Sequence, residues 1–433
     1  MSAGENVATI TALITIIFST VVLGWALFYK CTDSTFKTDD LAVEKCFSFI
    51  AVPKKEEPTV VKSNEPVAFF SESGTGVSMV NSASVDDDVQ FIDEDSFKYM
   101  KKFINKTDDF IIDSLKGFAK AHDDIVALNL DPIFVTRKEI NPNKVLLVSG
   151  GGSGHEPLHT GYIGKGMLDV ACPGHVFTSP TPDQMIAAVE KCQPKSGILF
   201  IVKNYSGDVM NFEMASEMIE FENQTVLTND DAAVINSSYT TGRRGVAGTL
   251  IVEKVVGSLA EEGGDLSSCK QLGDRVNHHC SSIGVALSSC TIPAAGKPTF
   301  DIGVDEIEFG VGIHGEPGRK REKIKMADHI VEDMVSAILK DFDEKSLDLK
   351  DPNGIILLVN GFSGTPLSEL YLIYQAVTEK LKEKQIQISR SLVGNYTTAL
   401  DMAGASITMC LLDDEIKKHW DSSVLTSNLR WGY

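Results

Sequence analysis

The sequence predicts an α/β protein with two α/β domains and largely parallel sheets, preceded by an N-terminal transmembrane helix and a flexible linker. The chain has 433 residues, a length typical of two or three domains. In the rest of the chain, which we call the body, short continuous apolar runs alternate with helical segments. This alternation is typical of parallel strands buried on both faces. The apolar runs are residues 144–149, 197–202 and 354–359.

The first element is a long uncharged segment, residues 8–29. As a helix it would span ~33 Å, enough to cross the ~30 Å hydrocarbon core of a bilayer. A cleaved signal peptide has a shorter apolar region, and a buried core helix is not expected at an extreme terminus. We therefore expect residues 1–30 to form a single-pass membrane anchor. Lysines follow this span and none precedes it, so the positive-inside rule places the body in the cytosol.

Residues 31–96 have the composition of an acidic flexible linker. They contain three prolines, a Ser- and Gly-rich stretch and two acidic triplets, residues 86–88 and 93–95. From Phe97 onward apolar residues recur at helical spacing, so the folded body begins there. We place the two α/β domains at residues 97–285 and 286–433.

The overall charge and the cysteine content limit the possible functions. The chain has 60 acidic and 40 basic side chains, a formal net charge of -20, and no strong basic patch. Such a surface repels phosphate backbones, so nucleic-acid binding is not expected. The eight cysteines show no CxxC spacing, so the sequence predicts neither a disulfide framework nor a metal site.

Ligands of open α/β sheets bind beyond the carboxyl ends of the strands, and polar loops follow the apolar runs. The first run is followed by GGGSGHEP, which presents His155. Three consecutive glycines would let the backbone approach a small ligand. No Gly-Lys-Ser/Thr follows, so this loop is not the Walker A loop of nucleotide-binding proteins.

The second run is followed by KNYSGD, which places the cation of Lys203 and the carboxylate of Asp208 at one strand end. Asp208 could alternatively cap a helix that starts at Val209. Another loop, FGVGIHGEPG, presents His314. It formally contains GxGxxG, but no strand–turn–helix with a later ribose-binding acid is evident, so a dinucleotide site is rejected.

His155, Asp208 and His314 are therefore the candidate catalytic residues. Two histidines and one carboxylate from separate loops can supply an acid, a base and a nucleophile. These residues alone leave the chemistry open between phosphoryl transfer, isomerisation and hydrolysis.

Several long stretches of the body resemble the dihydroxyacetone (glycerone) kinase family, specifically its substrate-binding K subunit or domain, DhaK. The resemblance extends from about Phe97 to Tyr433 and does not include the first 96 residues. The stretches that carry it are VLLVSGGGSGHEPLHTGYIGKGMLDVACPG, VFTSPTPDQM, IVKNYSGDVMNFEMA, YTTGRRGVAGTL, TIPAAGKPTF, EFGVGIHGEPG, TPLSELY and TALDMAGASIT.

This resemblance implies a role for each candidate residue. His314 would bind dihydroxyacetone covalently as a hemiaminal, and His155 would assist as an acid/base. Asp208 would accept the proton of the substrate hydroxyl that becomes phosphorylated, giving dihydroxyacetone phosphate. The substrate-binding residues that it implies are Gly152, Ser153, Lys203 and His314.

The resemblance also implies partners. Family members that use ATP carry the nucleotide on a helical L domain, and this sequence shows no nucleotide-binding motif. We therefore expect no cofactor on this chain, and Mg-ATP or Mg-ADP on a separate L-type subunit. A phosphorylated relay protein is the alternative donor, and a homodimer is expected. The alternative function is a non-catalytic dihydroxyacetone-binding sensor or regulatory paralogue, but the joint presence of His155, Asp208 and His314 favours the catalytic subunit.

Overall fold

The computed structural model of the protein describes residues 101–234 and 242–432. The predicted membrane anchor, residues 1–30, and the predicted linker, residues 31–96, lie outside this part of the chain. None of the helices in the described ranges combines the length and the apolar character needed to cross a bilayer. The described residues belong to one compact unit built around two six-stranded sheets.

The first sheet uses six of the seven strands that precede residue 229. In chain order the strands are β1 (Val126–Leu130), β2 (Ile133–Arg137), β3 (Leu146–Ser153), β4 (Gly164–Lys165), β5 (Val170–Val176), β6 (Ile198–Lys203) and β7 (Asn223–Thr228). The sheet order is β1-β2-β5-β3-β6-β7. The strands from β5 to β7 run parallel, whereas β1 and β2 are joined antiparallel at one edge.

The second sheet uses six strands from the rest of the chain. The strands that follow are β8 (Cys280–Ala286), β9 (Thr291–Ile292), β10 (Lys297–Pro298), β11 (Glu306–Phe309), β12 (Lys320–Lys323), β13 (Ile355–Gly361), β14 (Ile388–Gly394) and β15 (Gly404–Leu411). The sheet order is β12-β11-β8-β15-β13-β14, and β9 pairs with β10 in a separate hairpin. The chain thus enters the second sheet at Cys280, before the predicted boundary at residue 285.

Both sheets are mixed. Three of the five strand pairs in the first sheet are parallel, whereas the second sheet is mostly antiparallel, so the prediction of largely parallel sheets is wrong for the second sheet. In the second sheet β13 and β14 run parallel, and the other four pairs are antiparallel. Strand β13 is buried at every residue although its neighbour β15 runs antiparallel to it. A continuous apolar run therefore indicates that a strand is buried on both faces of its sheet. It does not indicate whether the strand runs parallel or antiparallel to its neighbours.

Eight helices pack on and between the sheets in the described residues. They are α1 (Phe110–Ala121), α2 (Pro182–Cys192), α3 (Ser206–Met218), α4 (Gly248–Glu261), α5 (Leu266–His278), α6 (Ala327–Glu344), α7 (Leu367–Glu383) and α8 (Asp414–Asp421). Helix α4 contacts strands of both sheets and is buried along almost its whole length, so it lies at the centre of the core.

The C-terminal strands return to the first half of the chain. Strands β16 (Val424–Thr426) and β17 (Arg430–Trp431) form a three-stranded sheet with β4. Strand β4 lies close in sequence to the loop that carries His155. The two halves of the body are therefore connected by backbone pairing as well as by the shared core.

Candidate functional site

The structure brings His155, Lys203, Asp208 and His314 together. His155 follows β3, and Lys203 is the last residue of β6. Because β3 and β6 are parallel neighbours, their carboxyl ends lie at the same edge of the first sheet. His314 comes from the loop between β11 and β12 of the second sheet, and its ring centroid is 4.6 Å from that of His155. The candidate site thus lies where loops of the two sheets meet.

His314 is held by a carboxylate two residues further along the chain. Its Nδ1 lies 2.7 Å from Glu316 Oε1, and its backbone N–H donates to Glu316 Oε2 over 3.0 Å. Burial alone would raise the pKa of Glu316, but His314 and Arg244 lower that pKa to about 2. Glu316 is therefore ionised at neutral pH and accepts the proton of Nδ1. A neutral His314 then has its free lone pair on Nε2, as a nucleophile requires.

His155 faces His314 and is only 1% exposed. Its Nδ1 lies 2.8 Å from the carbonyl oxygen of Thr398, to which it donates, and its Nε2 has no hydrogen-bond partner among the described residues. Burial is the main cause that lowers the pKa of His155 well below its ordinary value, with further contributions from His314 and Lys203. The ring is therefore neutral at pH 7, and Nε2 is open to accept a proton from a ligand.

Asp208 is not a helix cap, so that interpretation is wrong. Helix α3 begins at Ser206, its N-cap residue is Tyr205, and Asp208 is its third residue. One oxygen of Asp208, Oδ1, has no hydrogen-bond partner in the described part of the chain, and Oδ2 lies 3.5 Å from Lys203 Nζ. The first turn of a helix stabilises a carboxylate. Asp208 is therefore held as a buried carboxylate with one oxygen open.

Lys203 is fully buried. Its Nζ lies 2.8 Å from His159 Nε2 and donates to the carbonyl oxygen of Gly150 over 3.2 Å. A Cβ at Gly151 would collide with Nζ, so a larger residue there would displace the ammonium from its present position. The ammonium is thereby held beside the carboxylate of Asp208.

The three glycines before Ser153 belong to strand β3 and not to the loop. A Cβ at Gly152 would lie 2.5 Å from the backbone nitrogen of Thr178, so this glycine allows close packing against the protein's own chain. Approach of a ligand to the backbone of the glycine run stays a prediction. Ser153 Oγ donates to the carbonyl oxygen of Gly174 over 2.7 Å. Substrate contacts of Gly152 and Ser153 stay predictions.

Four residues of the site were not predicted individually. The ring of Tyr205 lies edge-on to His314 with centroids 4.6 Å apart, and Phe177 stacks on His155 at 5.1 Å. Phe177 adopts a left-handed backbone conformation with φ 55°, which is rare for an aromatic residue. All four lie in stretches that carry the resemblance. For Glu316 the sequence offered one further signal, its position two residues after His314. The four are Phe177, Tyr205, Glu316 and Thr398.

The arrangement combines a nucleophilic imidazole, a second imidazole that accepts protons, a buried carboxylate and a cation. Such a set can add a nitrogen to a carbonyl carbon and remove the proton of a neighbouring hydroxyl. Within residues 101–234 and 242–432, no group of three or more His, Cys, Asp or Glu side chains is arranged to hold a metal ion.

Comparisons with known proteins agree with this chemistry. The Dak1 domain matches residues 116–428. The chain is 45% identical over 356 residues to the PEP-dependent dihydroxyacetone kinase, dihydroxyacetone-binding subunit DhaK, of Escherichia coli (strain K12). The matched region covers 77% of this chain and 100% of that protein.

Two solved structures are also similar to the chain. The dihydroxyacetone kinase operon co-activator Dha-DhaQ has a TM-score of 0.67 and 31% identity, and the match covers 73% of this chain and 96% of that one. The dihydroxyacetone kinase of C. freundii has a TM-score of 0.68 and 32% identity, and the match covers 76% of this chain and 60% of that one. The chain therefore belongs to the Dak1 domain family and, within it, to the DhaK subunits of dihydroxyacetone kinases.

Proposed function

We propose that the protein is the substrate-binding subunit of a dihydroxyacetone kinase and presents dihydroxyacetone for phosphoryl transfer to its terminal hydroxyl. The observation that carries this proposal is the pairing of His314 with Glu316 opposite the buried base His155. Each imidazole then has a hydrogen-bond partner at Nδ1, which leaves Nε2 for the substrate. The name of the relative from Escherichia coli, a dihydroxyacetone-binding subunit, supports the choice of substrate.

The first step is covalent capture of the substrate. Nε2 of His314 adds to the ketone carbon, and the carbon–oxygen π bond opens. The net step moves the Nδ1 proton to the former carbonyl oxygen, and Glu316 and His155 are the acid–base groups available to carry it. Glycerol has no carbonyl carbon, so capture selects dihydroxyacetone over the similar polyol. It also fixes the terminal hydroxyl for in-line attack, which removes part of the entropic barrier.

The second step is phosphoryl transfer to the captured substrate. Asp208 takes the proton of the terminal hydroxyl on its open Oδ1 as the hydroxyl oxygen attacks the phosphorus of the donor. The bond from phosphorus to the donor's leaving oxygen breaks in the same step, and the dephosphorylated donor departs with that electron pair. Lys203, beside Oδ2, balances the charge that builds up on the attacking oxygen. Phosphoryl transfer needs little from a protein beyond positioning and charge stabilisation, and these residues supply both.

The phosphoryl group reaches the substrate through a separate L-type subunit that carries Mg-ATP, or that carries Mg-ADP and receives the group from a phosphorylated relay protein. That subunit must approach Asp208, which lies in the first turn of α3. The outer face of the same helix exposes three methionines at spacing i, i+4 and i+8, and a row of exposed apolar side chains is typical of a protein-binding surface. This methionine face consists of Met210, Met214 and Met218, which are 62%, 48% and 63% exposed. The predicted homodimer remains part of the proposal.

The dependence on a partner is testable with the purified full-length protein. Alone, it should not phosphorylate dihydroxyacetone with Mg-ATP, and addition of an L-type subunit should restore turnover. Met214→Glu should raise the concentration of L-type subunit needed for half-maximal turnover by about tenfold or more, equivalent to ~1.4 kcal/mol of docking energy. Met326→Glu is the matched control, because Met326 is 71% exposed but lies outside α3. Robust ATP-dependent turnover by the isolated chain would contradict the proposal.

A second candidate function is a dihydroxyacetone-binding regulatory protein without turnover. The similarity to an operon co-activator at 31% identity favours it. Capture alone needs His314, whereas this chain also has Asp208 with an open oxygen beside Lys203. We therefore prefer the catalytic subunit. Substrate capture with no turnover at any concentration of L-type subunit would select the regulatory protein instead.

We further propose that residues 8–29 anchor the protein in a membrane with its body in the cytosol. The uncharged run and the lysines that follow it support this topology. After expression with microsomes, the full-length protein should resist carbonate extraction, and added protease should digest its body. Deletion of residues 1–30 should release the protein into the carbonate extract. Protection of the body from protease, or a glycan on Asn105, would show that the body lies on the lumenal side of the membrane and not in the cytosol.

A further inference from the structure

A line of buried polar groups leads from Asp208 into the core, and the two steps above do not use its inner members. Lys203 Nζ lies 3.5 Å from Asp208 Oδ2 and 2.8 Å from His159 Nε2. His159 Nδ1 lies 2.6 Å from Oε1 of Glu253, a residue of the central helix α4. Lys203 and Glu253 are fully buried, and Asp208 and His159 are nearly so. The four side chains form one continuous hydrogen-bonded and ion-paired series.

The direction of each hydrogen bond follows from the chemistry of the groups. An ammonium has only donors, so Nε2 of His159 must accept from Lys203. Nδ1 then carries the proton of the ring and donates it to Glu253. Burial is the main cause that lowers the pKa of His159 well below its ordinary value, and the charge of Lys203 adds to it, so the ring is neutral at pH 7. His159 is thus expected in its Nδ1–H tautomer.

The packing of the core does not require these groups. Apolar side chains of similar volume would fill the same space without losing the hydration of a carboxylate, an imidazole and an ammonium. Glu253 is unfavourable to bury, because it is fully buried and its second oxygen has no hydrogen-bond partner among the described residues. Burial raises the pKa of Glu253 well above its ordinary value. An ionisable side chain in this position points to a use beyond packing.

We propose that Glu253 and His159 are positioning residues, which fix the Lys203 ammonium beside Asp208 for phosphoryl transfer. The proposal rests on the function proposed above. Glu253 orients the His159 ring and selects its tautomer, and His159 offers the ammonium an acceptor. Lys203 then stays on Oδ2 of Asp208, which leaves Oδ1 for the substrate hydroxyl. Neither positioning residue needs to touch the substrate.

The tautomer provides a test that needs neither substrate nor partner. In full-length protein labelled with ¹⁵N in its histidine rings, NMR at neutral pH should show His159 protonated at Nδ1 and unprotonated at Nε2. The variant His159→Gln identifies the signals, because they disappear from its spectrum. A ring protonated at Nε2, or at both nitrogens, overturns the proposal. This result can be read even if the protein proves to have no kinase activity.

Kinetics test the positioning role itself. His159→Phe keeps a ring but removes the acceptor, so the dihydroxyacetone adduct should still form. Turnover with the L-type subunit should fall on the order of 10²-fold, in kcat rather than in KM. His159→Gln should recover a large part of this loss, because its amide oxygen and amide N–H can replace Nε2 and the Nδ1 proton.

A matched control separates positioning from packing. His419 is also 1% exposed, and its Nδ1 lies 3.1 Å from Ser258 Oγ. His419→Phe therefore removes a buried, hydrogen-bonded imidazole that is not bonded to Lys203, and it should leave kcat near the wild-type value. Equal kcat losses in the two Phe variants, or loss of the adduct together with turnover in His159→Phe, would overturn the positioning role. If the wild-type protein forms no adduct, the proposed function fails instead.

Discussion

Replacement of His314 by alanine should abolish covalent capture of dihydroxyacetone and lower turnover with the L-type subunit by at least ~10²-fold. The imidazole supplies the nitrogen of the carbon–nitrogen bond, and nothing else among the described residues presents a nucleophilic nitrogen backed by a carboxylate at this position. The adduct is measured by mass spectrometry after the protein is incubated with dihydroxyacetone in the absence of borohydride. The structure of a crystal soaked with dihydroxyacetone shows which residue carries it.

The control for this variant is His329→Ala, which removes an exposed histidine from the first turn of α6. It should form as much adduct as the wild-type protein. A variant Glu316→Gln should form adduct more slowly, because a neutral amide stabilises the developing charge on the imidazole less well than a carboxylate does. Equal binding of dihydroxyacetone by His314→Ala and by the wild-type protein would show that capture is not covalent at this residue.

Replacement of Asp208 by asparagine should leave the adduct largely intact and lower turnover by ~10²–10⁴-fold, the typical cost of removing a general base. Asparagine has nearly the same shape, but its amide cannot take the hydroxyl proton. The loss should appear in kcat with the L-type subunit and Mg-ATP supplied. Turnover close to the wild-type rate would mean that Asp208 is not the base, and His155, with its open Nε2, would be the next candidate.

The stability of Asp208→Asn must be measured together with its turnover. Asp208 is ion-paired with Lys203 in a buried site, and breaking a buried pair costs about 3–5 kcal/mol. Asp183→Asn is the matched control, since Asp183 is an exposed carboxylate in the first turn of α2. Thermal unfolding of both variants separates a folded but inactive Asp208→Asn protein from one that has lost its structure.

Local sequence was sufficient to select candidate residues that the fold brings together, but not to describe their hydrogen bonds. Glycine-rich and polar loops after apolar runs marked His155, Asp208 and His314, because strand ends are where an α/β sheet binds ligands. The cap interpretation of Asp208 failed because the helix starts at Ser206, three residues earlier than its apolar pattern suggests. The partners of these residues are distant in sequence, such as Thr398 for His155, and no local pattern reports such pairs.

The sequence by itself determined the α/β class, the candidate catalytic residues and the family. These depend on apolar periodicity and on continuous motifs, which are local properties of the chain. Tertiary structure alone decided the strand directions, because burial on both faces makes parallel and antiparallel strands equally apolar. It also decided which nitrogen of each histidine is free and which residues hold Lys203. A tautomer and a buried ion pair depend on atoms brought together by the packing of α4 between two sheets, and residues from His155 to Thr398 contribute to them.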